Sequence, residues 1–250
     1  MPPHQRITVS LNQIQQPARL VLSAEQAHYL RRVLRLQPGS QFIAQDGQGH
    51  QWLAELTAVV DQATLLEPAT LESQAGPPLT LVAALPKAGF DDVVRQVTEI
   101  GATQIQPVIS QRTLLQPSDS RLKRWRRIVQ EASEQSERLW VPQIYSPLSF
   151  ETWVRGAPLL GETTDKASFF CVARADAPLL LTDIQRVLAA DLTLPVSVVI
   201  GPEGGWLPEE IAEAEAQGHT LVSLGSAILR ATTAAVAAIS IVAAAREQLI

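Results

Sequence analysis

Val196-Ser197-Val198-Val199-Ile200, followed at once by Gly201-Pro202-Glu203-Gly204-Gly205, is the stretch that decides the fold of this chain. Its first five residues are apolar and rich in β-branched side chains, which predicts a buried strand. The glycines after the strand allow left-handed backbone angles and the close approach of a ligand to the main chain. Leu207-Pro208-Glu209-Glu210 then places a proline and carboxylates where the first turn of a helix favours them. This order of strand, glycine loop and helix indicates an α/β sheet.

A second glycine loop follows the next predicted strand. Residues 220–224 are strand-like, and Gly225-Ser226-Ala227 with Ile228-Leu229-Arg230 separates them from an alanine-rich C-terminal helix. Loops at the carboxyl ends of strands are where an α/β sheet usually binds its ligand. The same pattern also occurs as an ordinary connection, and the first loop matches neither GxGxxG nor a P-loop. The residues alone therefore predict a ligand loop and leave the identity of the ligand open.

Both loops resemble the cofactor region of the SPOUT methyltransferases. The resemblance rests on residues 200–205, on Leu224-Gly225 and on Ile228-Leu229-Arg230. More narrowly, the chain is similar to the family that methylates N3 of a uridine in 16S ribosomal RNA. Other segments that match this family in its order are His28-Tyr29-Leu30-Arg31-Arg32-Val33-Leu34-Arg35, Leu85-Pro86-Lys87, Thr98-Glu99-Ile100-Gly101, and Glu131 with Gln135, Ser136 and Arg138.

The resemblance implies a domain organisation that the residue patterns also favour. Short strand-like segments and one inserted helix at residues 24–36 predict a small β-barrel over residues 1–75. The resemblance implies that this barrel is a PUA-like domain that binds RNA. A Pro- and Gly-rich linker occupies residues 67–78. Residues 76–250 alternate strands and helices, which predicts a parallel α/β sheet. In the family this second domain carries a trefoil knot, a rare exception among folds.

The composition of the chain excludes several other classes of protein. The net charge of −5 means that any RNA-binding surface has to be a local basic patch. A single cysteine, Cys171, and four scattered histidines leave no spacing typical of a zinc site, so no metal is expected. The N-terminus has no apolar signal region, and residues 231–245 are too short and alanine-rich for a membrane span. We therefore expect a cytoplasmic protein.

The family resemblance assigns S-adenosylmethionine as the cofactor and implies which residues hold it. Glycine backbones would bind the adenine and amino-acid parts, while apolar side chains would supply the walls. A loop near residue 160 lines the cofactor pocket of knotted methyltransferases. The predicted cofactor-binding residues are Leu160, Glu162, Ile200, Gly201, Pro202, Gly204, Gly205, Leu224, Gly225, Ile228 and Leu229.

Catalysis is predicted to depend on Arg230 and Thr233. The uridine N3 attacks well only once its proton is leaving, and Arg230 could stabilise charge on the neighbouring carbonyl oxygens. The chain departs from the family at Ala227, where an arginine is common, and at Thr232, where a glutamate is common. That glutamate is the natural candidate for a proton acceptor or a substrate contact. In its absence, either water or Thr233 takes this role, or the site recognises another RNA.

Two groups of cations are the main candidates for binding 16S ribosomal RNA in the small ribosomal subunit. Arg31, Arg32 and Arg35 lie on the predicted helix at residues 24–36, with Arg31 and Arg35 on one face. The other group lies in the second domain, where a run of five cations at residues 121–127 is interleaved with Trp125. Either group could instead be a solvated helix face. The predicted RNA-binding residues are Arg31, Arg32, Arg35, Lys87, Arg124, Arg126, Arg127 and Arg138.

Two alternatives to uridine N3 methylation remain open from the sequence. The first is a knotted methyltransferase that acts on another position, such as a ribose 2′-hydroxyl. The second is a ribosome-associated RNA-binding protein without catalytic activity. The resemblance also implies a homodimer formed near the knot, with both subunits contributing to each active site. The alanine-rich last helix could equally serve core packing within one chain.

Overall fold

The computed structural model describes residues 5–15, 18–66, 70–71, 76–114, 117–156, 166–173 and 176–248. The chain folds into two compact units. The first comprises residues 1–75 and 133–141, and the second comprises residues 76–132 and 142–250. Residues 133–141 thus belong to the first unit, although nothing in the composition of this segment predicts it.

The first unit is built around a mixed β-sheet. Its strands pair in the order β1-β4-β5-β6-β3-β2, with β7 beside β5, and only the β1–β4 pair is parallel within the described residues. Its elements are β1 (Arg6–Thr8), β2 (Ile14–Gln15), β3 (Arg19–Val21), α1 (Ala24–His28), β4 (Gln41–Gln45), β5 (His50–Leu56), β6 (Gln62–Leu65) and β7 (Thr70–Leu71). Leu20, Leu30, Phe42 and Leu56 form the fully buried centre of its core.

The turn between β4 and β5 is the hairpin that Asp46-Gly47-Gln48-Gly49 predicts. The Asp46 carboxylate accepts the main-chain N–H of Gln48 at 2.7 Å and that of His50 at 3.0 Å. Gly47 has a φ of 73°, a left-handed angle that glycine adopts without strain. The aspartate therefore fixes the turn by binding the main chain that follows it, as in Asx turns.

The helix inserted in this sheet is shorter than the sequence predicts. Ser23 caps its start, because the Ser23 side chain accepts the N–H of Gln26 at 3.2 Å. Regular α-helix ends at His28, and a π-helical turn continues it over Tyr29–Val33. Arg35 lies beyond this turn with a φ of 57°. The prediction of one helix over residues 24–36 with Arg35 on the face of Arg31 is therefore wrong.

The second unit is a parallel α/β sheet. Its strands pair in the order β10-β9-β8-β13-β12-β14, with β11 beside β9, and each of these described pairs is parallel. Its elements are β8 (Leu79–Ala84), α2 (Phe90–Ile100), β9 (Gln104–Ile109), α3 (Asp119–Gln135), β10 (Gln143–Ile144), β11 (Leu148–Ser149), α4 (Phe150–Val154), β12 (Ala167–Cys171), α5 (Leu180–Ala190), β13 (Val196–Ile200), α6 (Pro208–Ala216), β14 (Thr220–Val222) and α7 (Ala231–Gln248). Every residue of β8 and β13 is buried, so these strands form the centre of the sheet.

The alanine-rich helix α7 packs inside the second unit. It lies against α2, α5 and the two central strands, and its buried side chains are mostly small: Ala235, Ala238, Ile239, Val242 and Ala245. Small side chains let the neighbouring helices approach closely, so core packing accounts for this composition. Across the ranges that the structure describes, neither α7 nor another helix has the length and apolar character needed to span a membrane.

Near its end, α7 is tied to the start of the central strands. The Arg246 guanidinium donates hydrogen bonds to the carbonyl oxygens of Pro77, Pro78 and Leu194, the last two at 3.0 Å. Burial lowers the pKa of Arg246 to about 10. The three carbonyls replace the water that this cation loses on burial.

Candidate active site

A cavity of about 750 Å³ lies at the carboxyl ends of β12, β13 and β14. This is the edge at which parallel α/β sheets bind ligands, and the volume falls in the range of roughly 300–1,000 Å³ that is typical of small-molecule sites. Both glycine loops line it. Nine predicted cofactor-binding residues are among the lining residues: Ile200, Gly201, Pro202, Gly204, Gly205, Leu224, Gly225, Ile228 and Leu229. The other two, Leu160 and Glu162, lie outside the described residues.

The first loop folds back over its own tryptophan. A Cβ placed on Gly201 would lie 2.9 Å from Cε2 of Trp206, closer than side-chain carbons approach one another. The indole is 8% exposed and packs at a tilt against Phe170, with ring centroids 4.6 Å apart and an interplanar angle of 33°. Its Nε1 donates to the carbonyl oxygen of Cys171 at 3.2 Å. Glycine is therefore required at position 201 because the protein's own indole occupies the adjacent space.

Two side-chain contacts tie the first loop to the loops that follow neighbouring strands. Oε1 of Glu203 accepts the main-chain N–H of Lys87, in the loop after β8, at 2.9 Å. Arg112, in the loop after β9, donates from its guanidinium to the carbonyl oxygen of Gly204. The aliphatic part of Arg112 also covers Gly204, where a Cβ would meet Cδ of the arginine at 3.0 Å. These contacts hold one wall of the cavity in place.

A buried glutamate at the start of α6 forms a third contact between neighbouring strand-end loops. Glu210 is 5% exposed, and its Oε1 accepts the N–H of Gln111 at 3.0 Å. Its Oε2 accepts the N–H of Leu207 at 2.8 Å, which caps the first turn of the helix. An unpaired carboxylate would be costly at this depth, and the two N–H groups compensate for the lost hydration.

The second loop is shaped by Ser223 and Gly225. Ser223 Oγ bonds both the N–H and the carbonyl oxygen of Gly225, each at 3.2 Å. Gly225 has a φ of 123°, a conformation that side-chain-bearing residues rarely adopt. After this bend the chain carries Ile228, 58% exposed, along the rim of the cavity.

The two predicted catalytic residues have different positions. Arg230 lines the cavity and is exposed, and within the described part of the chain its guanidinium makes no hydrogen bond or ion pair. Thr233 is exposed in the first turn of α7 and is not a lining residue. The helix explains the difference, because Ala231 and Ala234 share the face that meets the cavity and Thr233 points elsewhere.

The remaining ionisable groups of the lining are Arg112, Cys171 and Glu203. Burial raises the pKa of the Cys171 thiol to about 12, so it stays protonated at neutral pH. Glu203 is exposed toward solvent at the cavity. In the described ranges, no three His, Cys, Asp or Glu side chains are grouped so as to hold a metal ion.

The basic run on α3 is partly neutralised by neighbouring carboxylates. Arg124 lies 2.7 Å from Asp91, and Arg127 lies 2.6 Å from Glu131. Trp125, which interrupts the run, is a core residue that is 1% exposed and donates from Nε1 to Asp91 at 2.9 Å. For the other three cations, the described part of the chain offers no ion pair or hydrogen bond to the side chain, and all are exposed: Arg121, Lys123 and Arg126.

The other predicted RNA-binding cations also differ in their surroundings. Arg31 donates to the carbonyl oxygens of Thr57, Val59 and Val60 at 2.8–2.9 Å, so it holds the loop before β6. Burial lowers the pKa of Arg138, which is only partly exposed. The cations whose side chains are exposed are Arg32, Arg35 and Lys87.

The structure adds lining residues that the sequence did not single out. Arg112 and Trp206 are the most consequential of them, since each contacts a glycine of the first loop. A tryptophan directly after two glycines in an apolar context is a usable signal for a cavity wall. Arg112 has no such signal, because it lies 92 positions from the carbonyl it binds.

A parallel α/β unit with a cavity between two strand-end glycine loops, together with a small mixed β unit, defines the class of SPOUT RNA methyltransferases with a PUA domain. A family model described as an RNA methyltransferase domain matches residues 73–243, and one described as an RNA methyltransferase PUA domain matches residues 22–61. The chain belongs to this RNA methyltransferase family.

Relatives match over nearly the whole chain. A protein of Synechocystis named ribosomal RNA small subunit methyltransferase E is 42% identical over 237 residues, which cover 94% of this chain and 76% of the relative. The Bacillus subtilis protein of the same name is 28% identical, covering 97% of this chain and 96% of its own.

Solved structures agree in fold. Ribosomal RNA small subunit methyltransferase E from Neisseria gonorrhoeae, bound to S-adenosyl methionine, is 27% identical with a TM-score of 0.80, and the match covers 98% of each chain. A Legionella pneumophila methyltransferase in complex with the same cofactor is 25% identical with a TM-score of 0.82, covering 97% of this chain and 98% of that one.

Proposed function

We propose that this enzyme transfers a methyl group from S-adenosylmethionine to N3 of a uridine in small-subunit ribosomal RNA. The observation that carries the proposal is the cavity between the two glycine loops, with Arg230 on its lining. The relatives from Synechocystis and Bacillus subtilis, which match over nearly the full chain, carry the name of a small-subunit ribosomal RNA methyltransferase.

The lining suits the proposed cofactor. Main-chain groups of Gly201, Gly204 and Gly225 face a space of about 750 Å³, and Ile200 and Leu229 supply apolar surface beside them. Exposed main-chain N–H and C=O groups can bind the adenine edge and the amino-acid end, while apolar side chains pack against the adenosyl ring. When bound, S-adenosylmethionine supplies an electrophilic methyl carbon. The residues of the cavity orient it and exclude water.

Arg230 has the charge that the substrate base requires. Loss of the N3 proton places negative charge on the two carbonyl oxygens beside N3, and a guanidinium close to them lowers the energy of that charge. Because Arg230 is exposed at the cavity and without a partner in the described part of the chain, no existing ion pair has to break first.

We further propose that local basic surfaces bind the RNA. In the second unit, Arg121, Lys123 and Arg126 on α3 have no ion pair in the described part of the chain and can meet phosphates. In the first unit, Arg32 within the π-helical turn and Arg35 just after it are exposed. An overall charge of −5 means that a polyanion has to be attracted by such local patches. A ribosomal RNA substrate would place the enzyme in the cytoplasm.

We also propose that the protein forms a homodimer and that its C-terminal segment is knotted. Leu179 and Ile228, which line the cavity, are 50% and 58% exposed, and Leu181 nearby on α5 is 46% exposed. A second copy of the chain could cover these apolar side chains and help to close the cavity. Sedimentation equilibrium tests this point, and a monomer at micromolar concentration would contradict it.

The experiment that tests the function is nucleoside analysis of 16S ribosomal RNA by mass spectrometry, from cells with and without the gene. We expect 3-methyluridine to disappear with the gene and to return when purified protein and cofactor are added to small subunits. Loss of a ribose-methylated nucleoside instead would identify the 2′-hydroxyl as the target. Absence of cofactor binding in calorimetry would favour the inactive RNA-binding protein.

A further inference from the structure

Glu203 is the one carboxylate among the described residues that line the cavity. The other ionisable lining side chains are Arg112, Cys171 and Arg230. Arginines stay protonated at neutral pH, and burial keeps the Cys171 thiol protonated as well. None of these three groups can take up a proton. Among the described residues, the lining therefore offers a single side chain able to act as a base.

The carboxylate of Glu203 is both fixed and available. Oε1 accepts the N–H of Lys87 at 2.9 Å, which limits the rotation of the side chain. Across the described ranges Oε2 makes no hydrogen bond, and the residue is exposed. A carboxylate accepts several hydrogen bonds, so the bond to Lys87 leaves acceptor capacity for a base N–H.

The loop that Glu203 binds also contacts the start of α7. Cγ2 of Thr232 lies 3.2 Å from the position of a Cβ on Gly89, two residues after Lys87. Thr232 follows Arg230 by two positions, so one short loop links the glutamate to the segment that carries the arginine. Residues 231–233 are Ala, Thr and Thr and supply no carboxylate of their own.

We infer that Glu203 is the catalytic residue that accepts the N3 proton of the target uridine, an inference that rests on the proposed function. One carboxylate oxygen takes the proton while the N3 lone pair forms the bond to the methyl carbon. The carbon–sulfur bond breaks, and its electron pair stays on sulfur as a neutral thioether. The protonated Glu203 then releases its proton to water. Arg230 stabilises the charge on the carbonyl oxygens during this step.

The test separates two functions of Glu203: acceptance of the N3 proton and the hydrogen bond to the Lys87 N–H. Glu203→Gln keeps an amide oxygen that can accept the Lys87 N–H but cannot act as a base, whereas Glu203→Ala removes both functions. For Glu203→Gln we expect calorimetric affinity for S-adenosylmethionine within about twofold of the natural protein. Its single-turnover methylation rate should fall by about 100-fold or more, the usual effect of losing a general base.

Two control variants complete the design. Glu209→Gln makes the same change at an exposed residue of α6 outside the lining, and its rate should match the natural protein. Glu162→Gln tests the other glutamate predicted near the cofactor, and it should retain more than about a tenth of the rate, since loss of a general base costs more than that.

The outcomes distinguish this inference from the proposed function. Full activity in Glu203→Gln would overturn the inference while the function stands. A loss of cofactor affinity in Glu203→Gln as large as in Glu203→Ala would leave Glu203 as a positioning residue only. A large loss in Glu162→Gln with none in Glu203→Gln would move the role to Glu162. Absence of 3-methyluridine with the natural protein would refute the function itself.

Discussion

The indole of Trp206 donates a hydrogen bond from Nε1 to the carbonyl oxygen of Cys171, 3.2 Å away. The bond joins the loop after β13 to the end of the neighbouring strand β12. It also places the indole against Gly201, which fixes the path of the loop at the point where it leaves the sheet. The shape of the cavity wall therefore depends on an aromatic side chain that forms part of the hydrophobic core.

Truncation of this indole should destabilise the second unit. Trp206→Ala removes a buried aromatic ring and should lower the free energy of unfolding by about 3–5 kcal/mol. Trp206→Phe keeps a ring and loses one hydrogen bond, so its cost should be nearer to about 1 kcal/mol. Urea denaturation followed by circular dichroism measures both values. Equal stability of the two variants would show that the ring contributes little.

Adding one methyl group at Gly201 should disturb the same wall. In Gly201→Ala the new Cβ would lie 2.9 Å from the Trp206 ring, so the loop or the ring has to move. We expect a loss of about 1–3 kcal/mol in stability, as for other overpacked sites, and weaker cofactor binding by calorimetry. Gly76→Ala is the matched control, because a Cβ there meets no atom within 4 Å. A Gly201→Ala protein that binds cofactor normally would contradict the steric argument.

A partly buried histidine should make the second unit sensitive to acid. Ser197 Oγ donates to Ser168 Oγ at 2.8 Å, and Ser168 Oγ lies 2.6 Å from Nδ1 of His219. Burial, with a smaller contribution from the charge of Lys166, lowers the pKa of His219 from 6.5 to about 4. The unfolded chain therefore binds a proton below pH 6.5, where the folded protein does not.

The free energy of unfolding should accordingly fall as the pH drops from about 6.5 to about 4. It should be insensitive to this group above that window. Urea denaturation at several pH values measures the effect, and the difference between the natural protein and His219→Asn isolates it from the carboxylates. Parallel pH profiles of the two proteins would rule out this histidine as the cause.

On α3, removal of the cations that have no ion pair should weaken RNA binding more than removal of the cations that have one. Arg121, Lys123 and Arg126 have no ion pair in the described part of the chain, whereas Arg124 and Arg127 face Asp91 and Glu131. Replacing the first three by glutamine should weaken RNA binding and reduce the salt slope by about 0.7–0.9 for each phosphate that is no longer neutralised. The variant Arg124→Gln with Arg127→Gln should lose less affinity. Fluorescence anisotropy at several salt concentrations measures both, and an unchanged slope in the triple variant would indicate a solvated helix face.

Local sequence patterns predict the centre of the second unit well. The apolar runs at residues 79–85 and 196–200 locate β8 and β13 to within a residue, and Gly101 ends α2, as glycines commonly do after a helix. Both glycine loops are recognisable because a buried strand and a helix start bracket each of them. These features depend on residues close together in the chain, which is why a single sequence contains them.

Other features depend on distant residues and leave no local signal. Glu210 caps its helix as the sequence suggests, but its bond to Gln111 spans 99 positions. The π-helical turn at Tyr29–Val33 interrupts a segment with ordinary helical residues. Arg31 looks like an RNA ligand in the sequence, yet the structure shows it bonded to carbonyls of the loop at residues 57–60. The short elements α4, β10 and β11 were not predicted, since two to five residues carry too little periodicity.

The ties between the strand-end loops have a consequence for sequence divergence. Glu203 and Glu210 bind main-chain N–H groups, which every residue type except proline provides. Natural variation at positions 87 and 111 can therefore be wide without opening these contacts, whereas each glutamate has few acceptable replacements. Orthologues that differ freely at the donor positions would inherit the same pocket wall.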